Sequence, residues 1–149
     1  MNKTKSIKKT RKYRNHFAVY YNNIPVNGNQ LTRTQTAIIP TISFKPQRGK
    51  YYTIMMYDLH SPNPAFLHFL AINVTDPLAI DSIVPYVKPS PPLKDNHYHV
   101  YLFELYEQPE FLTLVESILN RSGFDPARFA HKYGLVKVAQ RGFYINPKY

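Results

Sequence analysis

Residues 85–108 constrain the fold more than any other part of this sequence. Their second half alternates as a β-strand does, with largely apolar or aromatic side chains on both sides. One side carries His97, His99, Tyr101, Phe103 and Leu105, and the other carries Tyr98, Val100, Leu102 and Tyr106. The pattern favours an interior strand that is covered on two faces. A proline-rich loop, residues 88–92, leads into it, so polar side chains and a stiff loop are expected to frame a small concave binding site.

The rest of the chain predicts more strands, followed by two helices. Runs of β-branched and aromatic residues, bounded by Pro, Gly and Asn, predict strands at residues 16–21, 31–40, 41–44, 51–58, 66–74 and 135–144. A helix over residues 109–120 is predicted by its apolar stripe, and another over 126–133 by Asp125 as N-cap and Gly134 as stop. Strands first and helices late favour a mainly β (α+β) sandwich with two short peripheral helices near the C-terminus.

Length and composition exclude several classes of protein. A chain of 149 residues has the size of one domain, and the absence of cysteine argues against a secreted disulfide scaffold. No apolar run approaches the roughly 20 residues of a membrane span, and the N-terminus lacks the apolar segment of a signal peptide. We therefore expect a soluble, cytoplasmic protein.

The net charge of +10 is concentrated in the first 14 residues, which hold seven of the nineteen Lys and Arg and no acid. The other twelve basic residues face nine acidic ones, which leaves +3 for the remainder. We expect residues 1–16 to form a basic, disordered tail and residues 17–149 a single domain. The tail has three possible roles: a solvated end, a non-specific contact with nucleic acid or anionic membrane, or a nuclear-import signal.

Several short motifs follow one another in a distinctive order. The first is Asp58-Leu59-His60-Ser61-Pro62, followed by Leu67-His68-Phe69-Leu70. Next come Tyr86-Val87-Lys88-Pro89-Ser90-Pro91-Pro92, His99-Val100-Tyr101 and Tyr106-Glu107-Gln108. In order and spacing they resemble the phosphatidylethanolamine-binding protein family, which is also known for the Raf kinase inhibitor protein. The resemblance covers about residues 17–144.

The resemblance implies an antiparallel β-sandwich with a small pocket at one end for an anionic group, such as a phosphate or a phospholipid headgroup. Matching positions give the implied ligand-binding residues as Asp58, Pro62, His68, Pro91, Pro92, His99 and Tyr101. The sequence departs from the family pattern at His60, which replaces an acid, and at Lys88 and Ser90, which replace loop glycines.

The same residues also make chemical sense as an anion site. Imidazole N–H groups of His68 and His99, the Tyr101 phenol and backbone N–H groups can converge on a phosphate. Asp58 is expected to accept a hydrogen bond from a histidine ring, and Lys88 and His97 to supply charge at the rim. Binding is then expected to weaken as pH rises from 6 to 8, because the imidazoles lose their protons.

Structural roles compete with each of these assignments. His68 and Tyr101 would also suit a hydrogen-bonded core, and Asp58 would suit the cap of a turn. His60 and His97 have no family counterpart of their own kind, so a surface role is the alternative to a place at the pocket rim.

A metal site is the main alternative to an anion site. Asp58-x-His60 and His97-x-His99 are two i, i+2 pairs, and His with carboxylate suits Zn²⁺ or Fe²⁺. The spacing is not diagnostic, so neither a metal nor a cofactor is predicted. Catalytic signatures are missing too: there is no Cys, no Gly-x-Ser-x-Gly and no glycine-rich phosphate loop.

The predicted function is therefore a non-enzymatic, regulatory binding module with an anion pocket. The alternative is a protein-interaction regulator, such as a kinase or protease inhibitor, whose pocket is incidental. A metal-dependent or acid–base hydrolase comes third. A composition rich in Asn, Ile, Lys and Tyr is typical of an A/T-rich genome, which suggests a compact viral homologue in the host cytoplasm or the virion.

Overall fold

The computed structural model describes residues 16–61, 64–114 and 120–149. Apart from His16, the predicted basic tail at residues 1–16 lies outside these ranges, and so does Pro62. The tail and the Pro62 assignment therefore stay predictions. None of the helices among the described residues is long and apolar enough to cross a membrane.

Two antiparallel sheets make up the fold. The smaller has the order β2-β1-β3, with β1 at Ala18–Tyr21, β2 at Ile24–Pro25 and β3 at Thr41–Ser43. The larger has the order β6-β5-β4-β7-β9, and β8 also pairs with β5. Its strands are β4 (Tyr52–Asp58), β5 (Ala65–Val74), β6 (Ser82–Val84), β7 (His99–Glu107), β8 (Ser122–Phe124) and β9 (Val136–Ile145).

Strands β4 and β7 lie at the centre of the larger sheet and are covered on both faces, as their sequences predict. One face, with Ile54 and Phe103, joins the core that includes Val19 of the smaller sheet. The other face, with Met55, packs with Phe129 of the peripheral helix. Each large side chain buried in this way stabilises the fold by about 1.5–3 kcal/mol. The mainly β, antiparallel sandwich is confirmed.

A short helix, α1 (Pro126–Lys132), confirms the second of the two predicted helices. Asp125 is its N-cap, and the side chain accepts a hydrogen bond from the Arg128 N–H at 3.0 Å. Pro126 occupies the first turn, and Gly134 follows with a φ of +63°. Phe129 is the buried residue that attaches the helix to the larger sheet.

The helix predicted at residues 109–120 is wrong where the chain is described, because residues 109–114 and 120 are not helical. Asn73 holds this segment: its amide donates to the Leu112 carbonyl at 2.9 Å, and its oxygen accepts from the Leu112 N–H at 2.8 Å. Gln108 also donates to the Glu110 carbonyl at 3.0 Å. These bonds occupy the backbone groups that a helix would use. Residues 115–119 lie outside the described part.

The strand predicted at residues 31–40 is also wrong, because this segment forms turns. The Thr36 N–H donates to the Thr32 carbonyl at 3.1 Å, and the Thr36 hydroxyl donates to the same carbonyl at 3.0 Å. The Gln35 side chain accepts from the Thr32 N–H at 2.9 Å. Thr and Gln side chains therefore close the chain locally instead of pairing it with a sheet.

The register of the larger sheet brings three strand ends together. Asp58, the last residue of β4, pairs with Phe66 near the start of β5 and with Tyr101 near the start of β7. His68 and His99 lie two residues away from these partners along their strands. One end of the sheet thus collects a carboxylate, two imidazoles and a phenol.

Candidate ligand-binding site

A cavity of about 510 Å³ opens at this end of the larger sheet. The predicted ligand-binding residues that line it are Asp58, His68, Pro91, Pro92, His99 and Tyr101, and the predicted rim residues are His60, Lys88 and His97. The structure therefore brings together every predicted site residue that it describes. Sequence reasoning missed five other lining residues, which are Ser61, Phe66, Val87, Ser90 and Asp95.

His99 is held by carboxylates on both of its ring nitrogens. Its Nδ1 lies 2.7 Å from Asp58 Oδ2, and its Nε2 lies 2.7 Å from Asp95 Oδ2. The side chains of His99 and Asp58 are only 4% and 7% exposed. Burial alone lowers the pKa of His99, but the hydrogen bonds and charges of Asp58 and Asp95 raise it above its ordinary value. Because both nitrogens are occupied, the expected donation from His99 to an anion does not fit this arrangement.

Asp58 fills two of the roles considered for it. Its Oδ2 accepts from the His99 ring, as predicted, while its Oδ1 accepts from the His60 N–H at 2.8 Å. The second bond closes a turn directly after β4, so Asp58 is also the cap of that turn. Both oxygens of this buried carboxylate are thereby satisfied by the protein.

His60 presents a fixed donor to the cavity. The Val100 N–H donates to His60 Nδ1 at 3.0 Å, so the neutral ring carries its proton on Nε2. The ring is exposed and lies against those of His97 and His99, with centroid distances of 5.9 and 6.3 Å. His60 therefore lines the cavity as a donor of one hydrogen bond.

The surroundings of His68 favour its neutral ring over the expected imidazolium. Burial is the largest effect and lowers its pKa, outweighing the Val87 carbonyl and Asp58, which raise it; Arg121 lowers it further. The Val87 carbonyl lies 2.7 Å from His68 Nδ1, so the neutral ring donates there and Nε2 is left as an acceptor. The lowered pKa moves the loss of the His68 proton to a lower pH than in an ordinary histidine, and the expected weakening of binding between pH 6 and 8 stays a prediction.

Tyr101 belongs to both the core and the cavity wall. It is fully buried, stacks on Phe143 at 5.1 Å between centroids and meets the edge of His68 at 5.3 Å. Burial, followed by the nearby charge of Asp58, raises the pKa of its phenol, which keeps the hydroxyl protonated. Tyr101 thus offers a neutral hydroxyl at the floor of the cavity.

Pro91 and Pro92 form one wall of the cavity, the proline wall. Arg33, which lies far away in sequence, holds this wall in place. The guanidinium donates to the carbonyls of Pro91, of Pro147 at 2.6 Å and of Tyr149 at 3.2 Å. The wall is also tied to β5, because the Val87 N–H donates to the His68 carbonyl at 2.9 Å. No local motif around Arg33 indicates this role, since its partners are 58 to 116 residues away.

Among the described residues, one group of His and Asp side chains has the spacing of metal ligands. It comprises Asp95, His97 and His99, whose ligand atoms all lie within 4.8 Å of one another. Asp95 was missed because a lone acid in a loop carries no signal of its own. Only its position four residues before His99 would have pointed to it.

A family model described as phosphatidylethanolamine-binding protein matches residues 22–141. Among curated proteins, the chain is similar to the "26 kDa secreted antigen" of Toxocara canis, with 31% identity over 139 residues. That match covers 84% of this chain but 53% of the antigen, so the chain spans about half the length of this relative. The viral origin and the cytoplasmic location stay predictions.

Two solved structures share the fold. A carboxypeptidase Y inhibitor complexed with its cognate proteinase has a TM-score of 0.77 and 21% identity, and the match covers 98% of this chain and 99% of that one. A phosphatidylethanolamine-binding protein from Plasmodium vivax has a TM-score of 0.71 and 20% identity, over 87% of this chain and 84% of that one. At such identities the likeness establishes the antiparallel sandwich and nothing finer.

Proposed function

The chain belongs to the phosphatidylethanolamine-binding protein family, and from that premise we propose that it is a non-enzymatic binding module for a small phosphate-bearing ligand. The ligand class includes phospholipid headgroups, above all phosphoethanolamine, and phosphorylated groups. One observation carries the proposal: the cavity joins a cation, Lys88, and a fixed N–H donor, His60, to an apolar wall of Phe66, Pro91 and Pro92. Such a combination suits an anion that must be partly desolvated.

The charges around the cavity favour a ligand that bears both signs. The raised pKa of His99 favours its cationic form, and the two carboxylates of Asp58 and Asp95 lie against this one ring. Positive charge at the rim comes from Lys88. A phosphate would therefore bind toward Lys88 and His60, and an ammonium group toward Asp95, whose side chain is 22% exposed. A zwitterionic headgroup satisfies both ends.

The strength of such binding follows from a few contacts. Charge-assisted hydrogen bonds contribute about 1.5–3 kcal/mol each. Donors for a phosphate include Lys88 Nζ, His60 Nε2–H and the hydroxyl of Ser90. After the cost of association, three such bonds give an affinity of about millimolar.

A calorimetric or NMR titration of the full chain tests this proposal. Phosphoethanolamine is compared with inorganic phosphate and with vesicles that contain phosphatidylethanolamine, which separates a free ligand from a lipid source. Lys88→Ala should weaken phosphoethanolamine binding by about tenfold, because one charge-assisted bond is lost. Lys94→Ala is the control, since Lys94 is exposed in the same loop region but does not line the cavity.

Two outcomes would overturn the proposal. One is no binding of any of the three probes at about 10 mM phosphate groups, well above the expected affinity. The other is an equal effect of Lys88→Ala and Lys94→Ala. If the protein binds the vesicles but not free phosphoethanolamine, the ligand is a lipid headgroup. If it binds free phosphoethanolamine but not the vesicles, the ligand is a free small molecule.

A second candidate function is a protein-interaction regulator, such as a protease or kinase inhibitor, with an incidental cavity. It is favoured by the end-to-end structural match to a carboxypeptidase Y inhibitor. Inhibition of carboxypeptidase Y by the wild-type chain and by Lys88→Ala would separate the two. Equal inhibition by both proteins, together with weaker phosphoethanolamine binding in the variant, favours the interaction role. Absence of inhibition by the wild type contradicts a role against this proteinase.

A further inference from the structure

We infer that Asp95, His97 and His99 form a site for one divalent transition-metal ion, of which Zn²⁺ is the best match. The three side chains alternate along the approach to β7, and their ligand atoms lie within 4.8 Å of one another. Two histidines and one carboxylate are a common protein ligand set for zinc, with further positions left to water or a ligand.

The ligand atoms of Asp95, His97 and His99 are near one another but not yet at coordination spacing. His99 Nε2 and Asp95 Oδ2 are 2.7 Å apart, a hydrogen-bond distance, and would separate to about 3.4 Å to bind one tetrahedral ion at about 2.0–2.2 Å each. The metal takes the place of the proton shared by these two atoms, which leaves to solvent. His97 is exposed and stacks on His99 with 5.0 Å between ring centroids and 16° between planes. Coordination would require this exposed ring to rotate out of its stacked position.

Asp58 has the position of a supporting carboxylate. It accepts from His99 Nδ1 at 2.7 Å, which leaves Nε2 as the nitrogen that faces Asp95. Histidine ligands are usually oriented by such a carboxylate on the other ring nitrogen, and its removal weakens metal binding by about 10- to 100-fold. The His60 N–H holds the second oxygen of Asp58 at 2.8 Å, so the carboxylate is itself fixed.

The metal ligands that the structure indicates differ from those considered from the sequence. Asp58 has both oxygens occupied by protein donors and acts on His99 from outside. His60 accepts from the Val100 N–H through Nδ1, so its other nitrogen carries the proton and has no lone pair for a metal. His97 and His99 remain from the two sequence pairs, and Asp95 completes the site.

The bound ion would face the cavity, because all three ligands line it. Its open positions would point at the space proposed for the phosphate-bearing ligand. The inference nevertheless does not rest on that function, since the metal alone is the probe. The chain also has no thiols to compete for the ion.

The test uses the full chain, freed of metal with a chelator, and Zn²⁺ alone. Calorimetry should find one ion per chain, and His97→Ala and Asp95→Asn should each weaken binding by at least about 100-fold. Asp58→Asn should weaken it by about 10- to 100-fold. His131→Ala is the matched control and should bind as wild type, because His131 is exposed on α1, away from the cavity.

Co²⁺ provides a second readout that reports ligand geometry. Wild type with Co²⁺ should show the visible absorption of a four- or five-coordinate ion, and His97→Ala should lose it. Because His97 is exposed, its removal should leave thermal unfolding of the metal-free chain unchanged. Wild type that binds no Zn²⁺ at about 100 µM, or binding that survives both His97→Ala and Asp95→Asn, would overturn the inference.

Phosphoethanolamine titration of the metal-free chain distinguishes the two proposals. If the metal-free chain binds phosphoethanolamine and the chain does not bind Zn²⁺, the metal site is refuted and the proposed function is not. Zn²⁺ binding without any phosphate binding would support the metal site and refute the function.

Discussion

Asp95 and His99 lie 2.7 Å apart, four residues apart in the chain, on the side of the imidazole opposite Asp58. This contact makes His99 the centre of a carboxylate–imidazole–carboxylate trio and not a free donor. The cavity therefore has two carboxylates at its floor and a cation, Lys88, at its rim. A site of this kind selects by charge placement more than by total charge.

The pH dependence of stability should carry the signature of His99. Its pKa is raised in the folded protein, so the stabilising effect of its proton is complete below the unfolded value of about 6.5. It is lost as pH rises through the higher folded value. Urea unfolding of wild type between about pH 6 and 9 should show falling free energy of unfolding, and His99→Gln should show a smaller fall. Equal slopes for the two proteins would contradict the trio.

The pKa values of His68 and His99 should be shifted in opposite directions from that of an ordinary histidine. Burial lowers the pKa of His68, whereas Asp58 and Asp95 raise that of His99 despite its burial. NMR titration of the ring resonances should place the His68 midpoint below the ordinary value of 6.5 and the His99 midpoint above it. The assignments come from His68→Gln and His99→Gln. A His68 midpoint above 6.5 would mean that its ring is charged and free to donate to an anion.

Asp58→Asn should destabilise the fold by about 1.5–3 kcal/mol, because a buried imidazolium loses one of its charged partners. The asparagine keeps the size of the side chain, so the change reports charge and hydrogen bonding. Asp81→Asn is the control, since Asp81 is exposed, and should stay within about 0.5 kcal/mol of wild type. Equal urea midpoints for the two variants would show that the Asp58–His99 pair contributes nothing.

Asn73 should contribute to stability through its side chain. It bonds both backbone groups of Leu112 and accepts from the Gln108 amide at 2.8 Å, with its own φ at +56°. Asn73→Gly keeps that φ accessible but removes the bonds, and it should cost about 1–3 kcal/mol. Hydrogen exchange at Leu112 should accelerate in the same variant. Wild-type stability in Asn73→Gly would mean that these bonds do not hold residues 110–112.

Arg33→Lys should weaken phosphoethanolamine binding although Arg33 does not line the cavity. The guanidinium fork holds the Pro91 carbonyl together with those of Pro147 and Tyr149, and a single ammonium cannot reproduce that geometry. If the proline wall is less ordered before the ligand binds, part of the binding free energy is used to order it. We therefore expect calorimetry to show about a 3- to 10-fold loss of affinity for phosphoethanolamine. Arg48→Lys, an exposed position in the 45–50 turn, should bind as wild type.

The sequence predicts best what is local. Strands β4 and β7 were identified because they are apolar on both faces, and α1 because Asp125 and Gly134 mark its ends. The segment at residues 109–114 was predicted wrongly because a side chain 39 residues away, that of Asn73, captures its backbone. A helical stripe carries no record of such a distant competitor.

The same contrast applies to the site. The resemblance to the family supplied the residues that line the cavity, but not their protonation states. The lowered pKa of His68 depends on burial, which outweighs the carbonyl 19 residues away, and the occupied nitrogens of His99 depend on Asp95 as well as Asp58. Spacing along a chain indicates which groups can meet, whereas hydrogen-bond direction is decided only by the folded surroundings.

The central position of β4 and β7 gives the cavity two parts that open at different free energies. Asp58 and His99 end the two central strands and their side chains are largely buried, so the floor keeps its geometry until the domain unfolds. Lys88 and Ser90 stand on an exposed loop that is attached by a guanidinium and a short run of backbone bonds. Under the proposed function, detachment of this loop would release the ligand without unfolding the domain, so the residence time of the ligand would be set independently of the melting temperature.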